Sequence, residues 1–381
     1  MRTAAYIHIP FCEHICHYCD FNKVFLKNQP VDEYIQALLH EMHMTINEAK
    51  PDQLKTIYVG GGTPTALTAA QLRTLFAGMH SILPMEQIEE FTVEVNPDSS
   101  EEEKLTVMKE YGVNRLSIGV QSFDQSLLDA IGRTHSSDSV HDAVKRSREA
   151  GFDNLSLDLM FGLPHQSVEQ FIDTIEKAAE LGVEHLSAYS LKIEEKTVFF
   201  NRQRKGKLSL PPEEDEVTMY EELRKRTKAH GFVQYEISNF AKPGRESKHN
   251  LVYWNNDEYY GFGAGAHGYV NGVRHQNIGP VPKYIEAVNQ KKLPYLNEHK
   301  VSKVEQIEEA MFMGLRKLNG VDLDELSKRY DKDLNKLYHD QIKDLSERGL
   351  LVSEQGMLKL TNEGLLLANE VFEQFLAVLE D

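Results

Sequence analysis

Leu155-Ser-Leu-Asp-Leu-Met-Phe-Gly-Leu-Pro164 is the stretch on which the fold turns. Its strand, Asn154–Met160, is apolar on both faces, as strands are in a sheet covered by helices on both sides. It closes on Asp158 and on the turn signal Phe161-Gly-Leu-Pro164. Amphipathic helical stretches flank it at Ser139–Ala150 and Val168–Leu181. The same unit repeats outward. Strands are expected at Ala4–Ile9, Thr56–Val59, Glu90–Val95, Arg115–Val120 and His185–Ser190, and helices at Val31–Glu48, Ala69–Met79, Glu101–Tyr111 and Pro212–His230. Strand then helix, six times over, means parallel strands joined by crossovers.

The unusual residues sit where the strands end. Three cysteines follow the first strand, Gly60-Gly-Gly-Thr-Pro64 the second, and Glu94-Val-Asn-Pro97 ends the third. Gln121-Ser-Phe123 ends the fourth, and Tyr189-Ser-Leu-Lys192 the sixth. In α/β barrels the active site lies at the carboxyl ends of the strands. A single glycine or proline there marks only a turn, but six consecutive polar or glycine-rich ends point to one shared site.

Cys12, Cys16 and Cys19 are the only cysteines in 381 residues. A disulfide would leave one over. Short Cys-x-x-Cys spacings also suit zinc, and His14 and His17 stand close enough to complete such a set, so spacing leaves zinc open. The other reading is an iron–sulfur cluster. A cubane normally takes four cysteines, so three would leave one iron free for a small molecule. An amino acid's amine and carboxylate can chelate such an iron. A ligand shaped like methionine with a nucleoside attached then needs further partners. Gly60–Gly62 offer close backbone approach and free N–H donors. Glu94, Gln121, Arg133 and Asp158 suit carboxylate, amine and ribose hydroxyls, and Tyr18 suits an adenine pocket.

Composition bounds the rest. Hydrophobic residues make up 41%, enough for a sizeable core, and the net charge of −17 argues against a general affinity for nucleic acid or anionic lipid. No apolar run approaches a membrane span, and the N-terminus reads as a strand rather than a signal peptide, so a cytoplasmic location is expected. Three parts are expected: an α/β barrel over residues 1–240, a loop-rich insert over 241–300, and a helical domain over 301–381. The last carries helices at Val304–Leu318, Leu323–Tyr330 and Leu334–Glu347, strands at Leu350–Ser353 and Leu358–Thr361, and a final helix at Asn362–Leu379. That order is winged-helix-like. With 10 Lys and Arg against 17 Asp and Glu, packing or partner contact is expected of it, not DNA reading.

The three cysteines and the glycine-rich end of strand two resemble the radical S-adenosylmethionine superfamily. Tyr6-Ile-His-Ile-Pro-Phe-Cys12, Gly60-Gly-Gly-Thr-Pro64, Ser117-Ile-Gly-Val-Gln-Ser-Phe123, Gly132-Arg-Thr-His135 and Asp158-Leu-Met-Phe-Gly-Leu-Pro164 resemble its oxygen-independent coproporphyrinogen III oxidase branch. The resemblance implies a partial (β/α)6 TIM-like barrel and a [4Fe–4S] cluster on Cys12, Cys16 and Cys19. It implies S-adenosylmethionine on the fourth iron, touched by Tyr6, Tyr18, Gly61, Gly62, Thr63, Glu94, Gln121, Arg133 and Asp158. In that superfamily one electron from the cluster cleaves the sulfonium to methionine and a 5′-deoxyadenosyl radical, and an electron donor must supply it.

Two departures from the oxidase stand out. Phe21 occupies the place of a further cysteine, and no long N-terminal extension precedes Cys12. Both features resemble the HemW group of haem chaperones, as does His249-Asn-Leu-Val-Tyr-Trp254, which matches that group's haem-associated motif. The resemblance implies haem as cargo on His249, Tyr253 and Trp254, His being the commonest axial ligand and the two aromatics offering flat apolar surface. Tyr259 and His267 are weaker candidates. The implied partner is a haem-accepting protein, a respiratory enzyme at the membrane, reached by peripheral contact. Coproporphyrinogen III decarboxylation and radical methyl transfer are the rival activities.

Overall fold

In the computed structural model, which describes residues 2–378, six parallel strands stand side by side in chain order. They are β1 (Ala4–Ile9), β2 (Thr56–Gly61), β3 (Glu90–Val95), β4 (Arg115–Gln121), β5 (Leu155–Phe161) and β6 (His185–Ser190). The crossovers carry α1 (Val31–Glu48), α2 (Ala69–Ile82), α3 (Glu102–Glu110), α4 (Gln125–Ile131), α5 (Ser137–Glu149) and α6 (Val168–Glu180). The limits of β1, β3, β6 and α1 fall where the apolar pattern puts them. Capping boxes at Thr68, Ser136 and Ser167 start α2, α5 and α6. Leu157, Phe91, Ile118 and Leu186 are fully buried on the sheet, facing Leu72, Phe76 and Phe171 of the helices.

The sheet does not close on itself. Beyond β6 it continues antiparallel through β8 (Asn239–Ala241) and β7 (Val233–Glu236), after α7 (Val198–Arg204) and α8 (Glu213–Ala229). Beyond β1 it continues through β9 (Tyr259–Phe262), β10 (His267–Val270), β11 (Val273–Asn277) and β12 (Tyr295–Lys300). This is a finding against the expected loop-rich character of residues 241–300. After α9 (Lys248–Trp254) they supply four strands of a twelve-stranded sheet. The glycines that read as loop are there for close approach. A Cβ on Gly261 would stand 1.8 Å from the carbonyl oxygen of His267, and one on Gly268 2.2 Å from the His275 ring. Glycine density concealed strands that pack too tightly for side chains.

The C-terminal part starts with a helix at Lys303–Leu315 and carries a three-stranded antiparallel sheet of Val321–Asp322, Leu351–Glu354 and Met357–Leu360. Two expected helices are broken. Leu334–Glu347 divides at Tyr338, whose ring is fully buried. Asn362–Leu379 becomes Asn362–Leu366 and Ala368–Glu373, with its last expected residue outside the described ones. A Cβ at Gly364 would lie 2.0 Å from the Leu350 carbonyl, so packing on the hairpin overrides helical periodicity.

Candidate functional site

The carboxyl ends of β1–β6 open into a pocket of about 420 Å³. Cys12 lies at its edge because Phe11–Cys12 pairs with Val24–Phe25 as a short parallel ladder that pins both ends of the cysteine loop. Asn22 locks the loop's exit, its amide donating to the carbonyls of Ala264 and Gly279 at 2.7 and 3.0 Å. The turns after β9 and β11 are therefore the dock for the cysteine loop. Cys12, Cys16 and Cys19 all line the pocket, with Tyr18 between them.

The second strand brings its glycines against the first cysteine. Gly61 has φ +114°, and a Cβ there would meet the His8 ring at 2.5 Å. A Cβ on Gly62 would meet the Phe11 carbonyl and Cys12 Sγ at 2.8 and 2.9 Å. Only glycine leaves the backbone this near the thiols. Thr63 Oγ1 donates to Cys12 Sγ at 3.6 Å, and Arg133 reaches Cys16 Sγ at 3.8 Å while also donating to the Gly119 carbonyl. Burial pushes the Cys12 and Cys19 thiols up, Cys19 to about 11. Lys23 opposes it at both, and at Cys12 so do Thr63 and Arg133.

Two carboxyls face each other across the pocket. Burial pushes Glu94 up to about 7, the hydrogen bonds from Tyr58 and from the Gly61 N–H opposing and the Asp158 charge adding. Those bonds are 2.8 and 3.1 Å long. Burial also raises Asp158, against Ser187, Arg115 and Ser117, whose hydroxyl donates to it at 3.1 Å. Gln121 reaches the pocket from a left-handed conformation, φ 63°, at the register shift between β4 and β5. A bulge of this kind re-aims a side chain at the cost of local strain.

Of the residues expected around S-adenosylmethionine, Tyr18, Gly61, Gly62, Thr63, Glu94, Gln121, Arg133 and Asp158 line this one pocket. Tyr6 stands a layer deeper, its hydroxyl on His8 Nδ1 at 2.9 Å and its ring stacked on Tyr58. The expected haem residues lie outside, and Asn250 alone of their helix reaches the lining. His249 is buried. It is 1% exposed, with Nδ1 bonded to Thr56 Oγ1 at 2.9 Å and Nε2 to the Tyr253 hydroxyl at 2.8 Å. Glu90 accepts from the Lys248 and His249 N–H groups at 2.8 and 3.0 Å and so draws α9 onto the barrel floor. Tyr253 packs edge-on against His249 and Tyr259. Trp254 carries the Arg316 guanidinium over its ring at 4.4 Å, tying α9 to the C-terminal part. His267 is exposed on β10, outside the pocket lining.

Tyr58, Arg115, Ser117 and Ser187 also line the pocket and were not anticipated. The available signal was strand alternation. Arg115, Ser117, Gly119 and Gln121 share one face of β4, the face on which Gln121 was already singled out.

The residues present fit the expected cofactors: three thiols, a glycine cradle closed to any Cβ, and buried groups suited to amine, carboxylate and ribose. Among the described residues no three His, Cys, Asp or Glu side chains converge for a single metal ion. A cluster spans its ligands with several irons and does not require that convergence.

The fold and this pocket define a radical S-adenosylmethionine protein. The family model described as "Radical SAM superfamily" matches residues 6–178, and that of the "HemN C-terminal domain" matches residues 301–367. A Bacillus subtilis protein named "Heme chaperone HemW" is 52% identical over 377 residues, covering 99% of this chain and all of that protein. One of the same name from Lactococcus lactis is 46% identical over 98% of this chain and 97% of its own length. The solved structure of the Escherichia coli coproporphyrinogen III oxidase HemN matches with a TM-score of 0.86 at 24% identity, over 99% of this chain and 91% of that one, a likeness of fold. The chain belongs to the HemW family of the radical S-adenosylmethionine superfamily. That membership implies a [4Fe–4S] cluster and S-adenosylmethionine, which together supply one-electron chemistry at the pocket. No described helix is long and apolar enough to cross a membrane.

Proposed function

We propose that this chain is a haem chaperone that binds haem and passes it to a haem-accepting protein, a respiratory enzyme being the class of acceptor. In this reading Cys12, Cys16 and Cys19 hold the cluster, and Tyr18, Gly61, Gly62, Thr63, Glu94, Gln121, Arg133 and Asp158 hold S-adenosylmethionine. Tyr6 supports them from the layer below. The observation that carries the reading is full-length likeness, at about half identity, to proteins named haem chaperones.

The pocket mouth supports it. Phe21, 61% exposed, and Tyr189, 43% exposed, stand at the rim with Lys23 and Lys192. Flat apolar surface beside cations suits a porphyrin face and its propionates. A contact through His249, Tyr253 and Trp254 requires α9 to release its bonds to Thr56 and Glu90. An anaerobic haem titration of the cluster-loaded protein, followed by the Soret band, tests the reading. Saturable one-to-one binding supports it, with Phe21→Ser and His249→Ala variants assigning the contact to rim or helix. Absence of specific binding overturns it.

A further inference from the structure

A buried charge in the barrel floor has no part in the account above. Arg115 is the first residue of β4, is 2% exposed, and lines the pocket. Its Nη1 meets Thr92 Oγ1 only at 3.5 Å, and its Nε has no hydrogen-bond partner. Arg148, Arg226 and Arg274, all more exposed, each hold a glutamate. Arg115 has no such pair among the described residues. The pocket's own carboxyls are engaged elsewhere, Asp158 by Ser117 and Ser187 and Glu94 by Tyr58 and Gly61. Tyr58, His185 and His249 stand close by without a charge to pair with it, both histidines held low by burial and then by Arg115. A guanidinium buried without a carboxylate in ion-pair contact is strongly unfavourable, and Arg115 lines a cavity.

We propose that Arg115 forms a carboxylate-binding subsite in the barrel floor, its charge left open for an acid group that enters with the ligand. A planar carboxylate matches the guanidinium fork. A single cation suits a monoanion, not a phosphate dianion. Two ligands carry such a group: a porphyrin, through a propionate, and S-adenosylmethionine, through its methionine carboxylate. The porphyrin source rests on the haem reading above.

The experiment compares wild type with Arg115→Gln and Arg115→Lys as cluster-loaded proteins. Each is titrated with haem, with haem dimethyl ester and with S-adenosylmethionine, and the ligand-free melting temperature is recorded. Arg115→Gln is expected to melt at or above wild type, because it removes an uncompensated charge. It is expected to lose about tenfold or more in affinity for one acid, with Arg115→Lys recovering part. A loss for haem without a loss for its dimethyl ester assigns the propionate. A loss for S-adenosylmethionine with the haem preference intact assigns the methionine carboxylate. A lowered melting temperature with all affinities retained overturns the subsite and makes Arg115 a structural partner of Asp158. Equal losses for haem and its diester, with S-adenosylmethionine unaffected, also overturn it. If wild type binds no haem, the chaperone reading fails, and the S-adenosylmethionine arm with the melting temperature still decides the subsite.

Discussion

His249 lies against Tyr58, ring centroids 5.3 Å apart and planes inclined by 30°, and Tyr58 in turn donates its hydroxyl to Glu94 at 2.8 Å. The helix carrying His249 is thus one aromatic ring away from a carboxyl of the cofactor pocket. His249→Ala leaves the Thr56 and Tyr253 hydroxyls unpaired and opens a cavity, a cost of about 2–4 kcal/mol in urea unfolding. We expect S-adenosylmethionine affinity to fall as well, and Tyr58→Phe to reproduce that part. Unchanged stability together with a selective loss of haem would instead favour a free ligand histidine.

Burial, with Arg115 adding to it, holds His249 down to about 3, whereas an unfolded histidine titrates near 6.5. The unfolded chain therefore takes up this proton first. Stability from neutral His249 is present above pH ~6.5 and is lost as pH falls toward 3. His249→Gln should show a shallower acid slope in urea midpoints between pH 4 and 6.5. Parallel slopes for the two proteins would refute the assignment.

Glu41 behaves in the opposite sense. It is 1% exposed and accepts from Tyr284, from Asn277 Nδ2 at 2.6 Å and from the Gly263 N–H at 2.8 Å. Burial still pushes it up to about 7 against those donors. A raised carboxyl contributes stability that is full below its unfolded value of 4.5 and is lost as pH rises through 7. The loss is about 3 kcal/mol. The stability of Glu41→Gln relative to wild type should therefore climb by that order between pH 4.5 and 8. A flat difference across that range counts against it.

Gln121 holds φ 63° at the bulge between β4 and β5. Gln121→Gly relieves strain that a non-glycine residue incurs there, so unfolding free energy should hold or rise by up to about 1 kcal/mol. The side chain's contact in the pocket is lost, and S-adenosylmethionine should bind the variant more weakly by calorimetry. Lower stability with unchanged binding would mean that the bulge serves folding alone.

Cys12, Cys16 and Cys19 line one pocket with no fourth cysteine in the chain. Serine at any one of them should cut reconstituted iron from about four per chain to a small fraction and remove the charge-transfer absorbance. Full iron in a single variant would exclude that residue as a ligand.

The strand–helix alternation was legible because each crossover is a local pattern: an apolar run such as Leu155–Met160, a turn signal, then an amphipathic helix with its own cap. The cysteine loop and the glycines at the end of β2 were legible for the same reason, since both depend on spacing within a few residues. Residues 259–277 were not. Their glycines look the same in a loop and in strands whose backbones pack at the distance Gly261 and His267 require. The sequence by itself determined the order of the six parallel strands, their shared ends and the thiol set, because local periodicity and residue chemistry decide these. Only the tertiary structure decided that His249 is buried on Thr56 and Tyr253, that Trp254 rests under Arg316, and that Arg115 stands unpaired in the barrel floor. Burial and hydrogen-bond partnership are set by residues as far apart as Thr56 and His249, which only folding brings together.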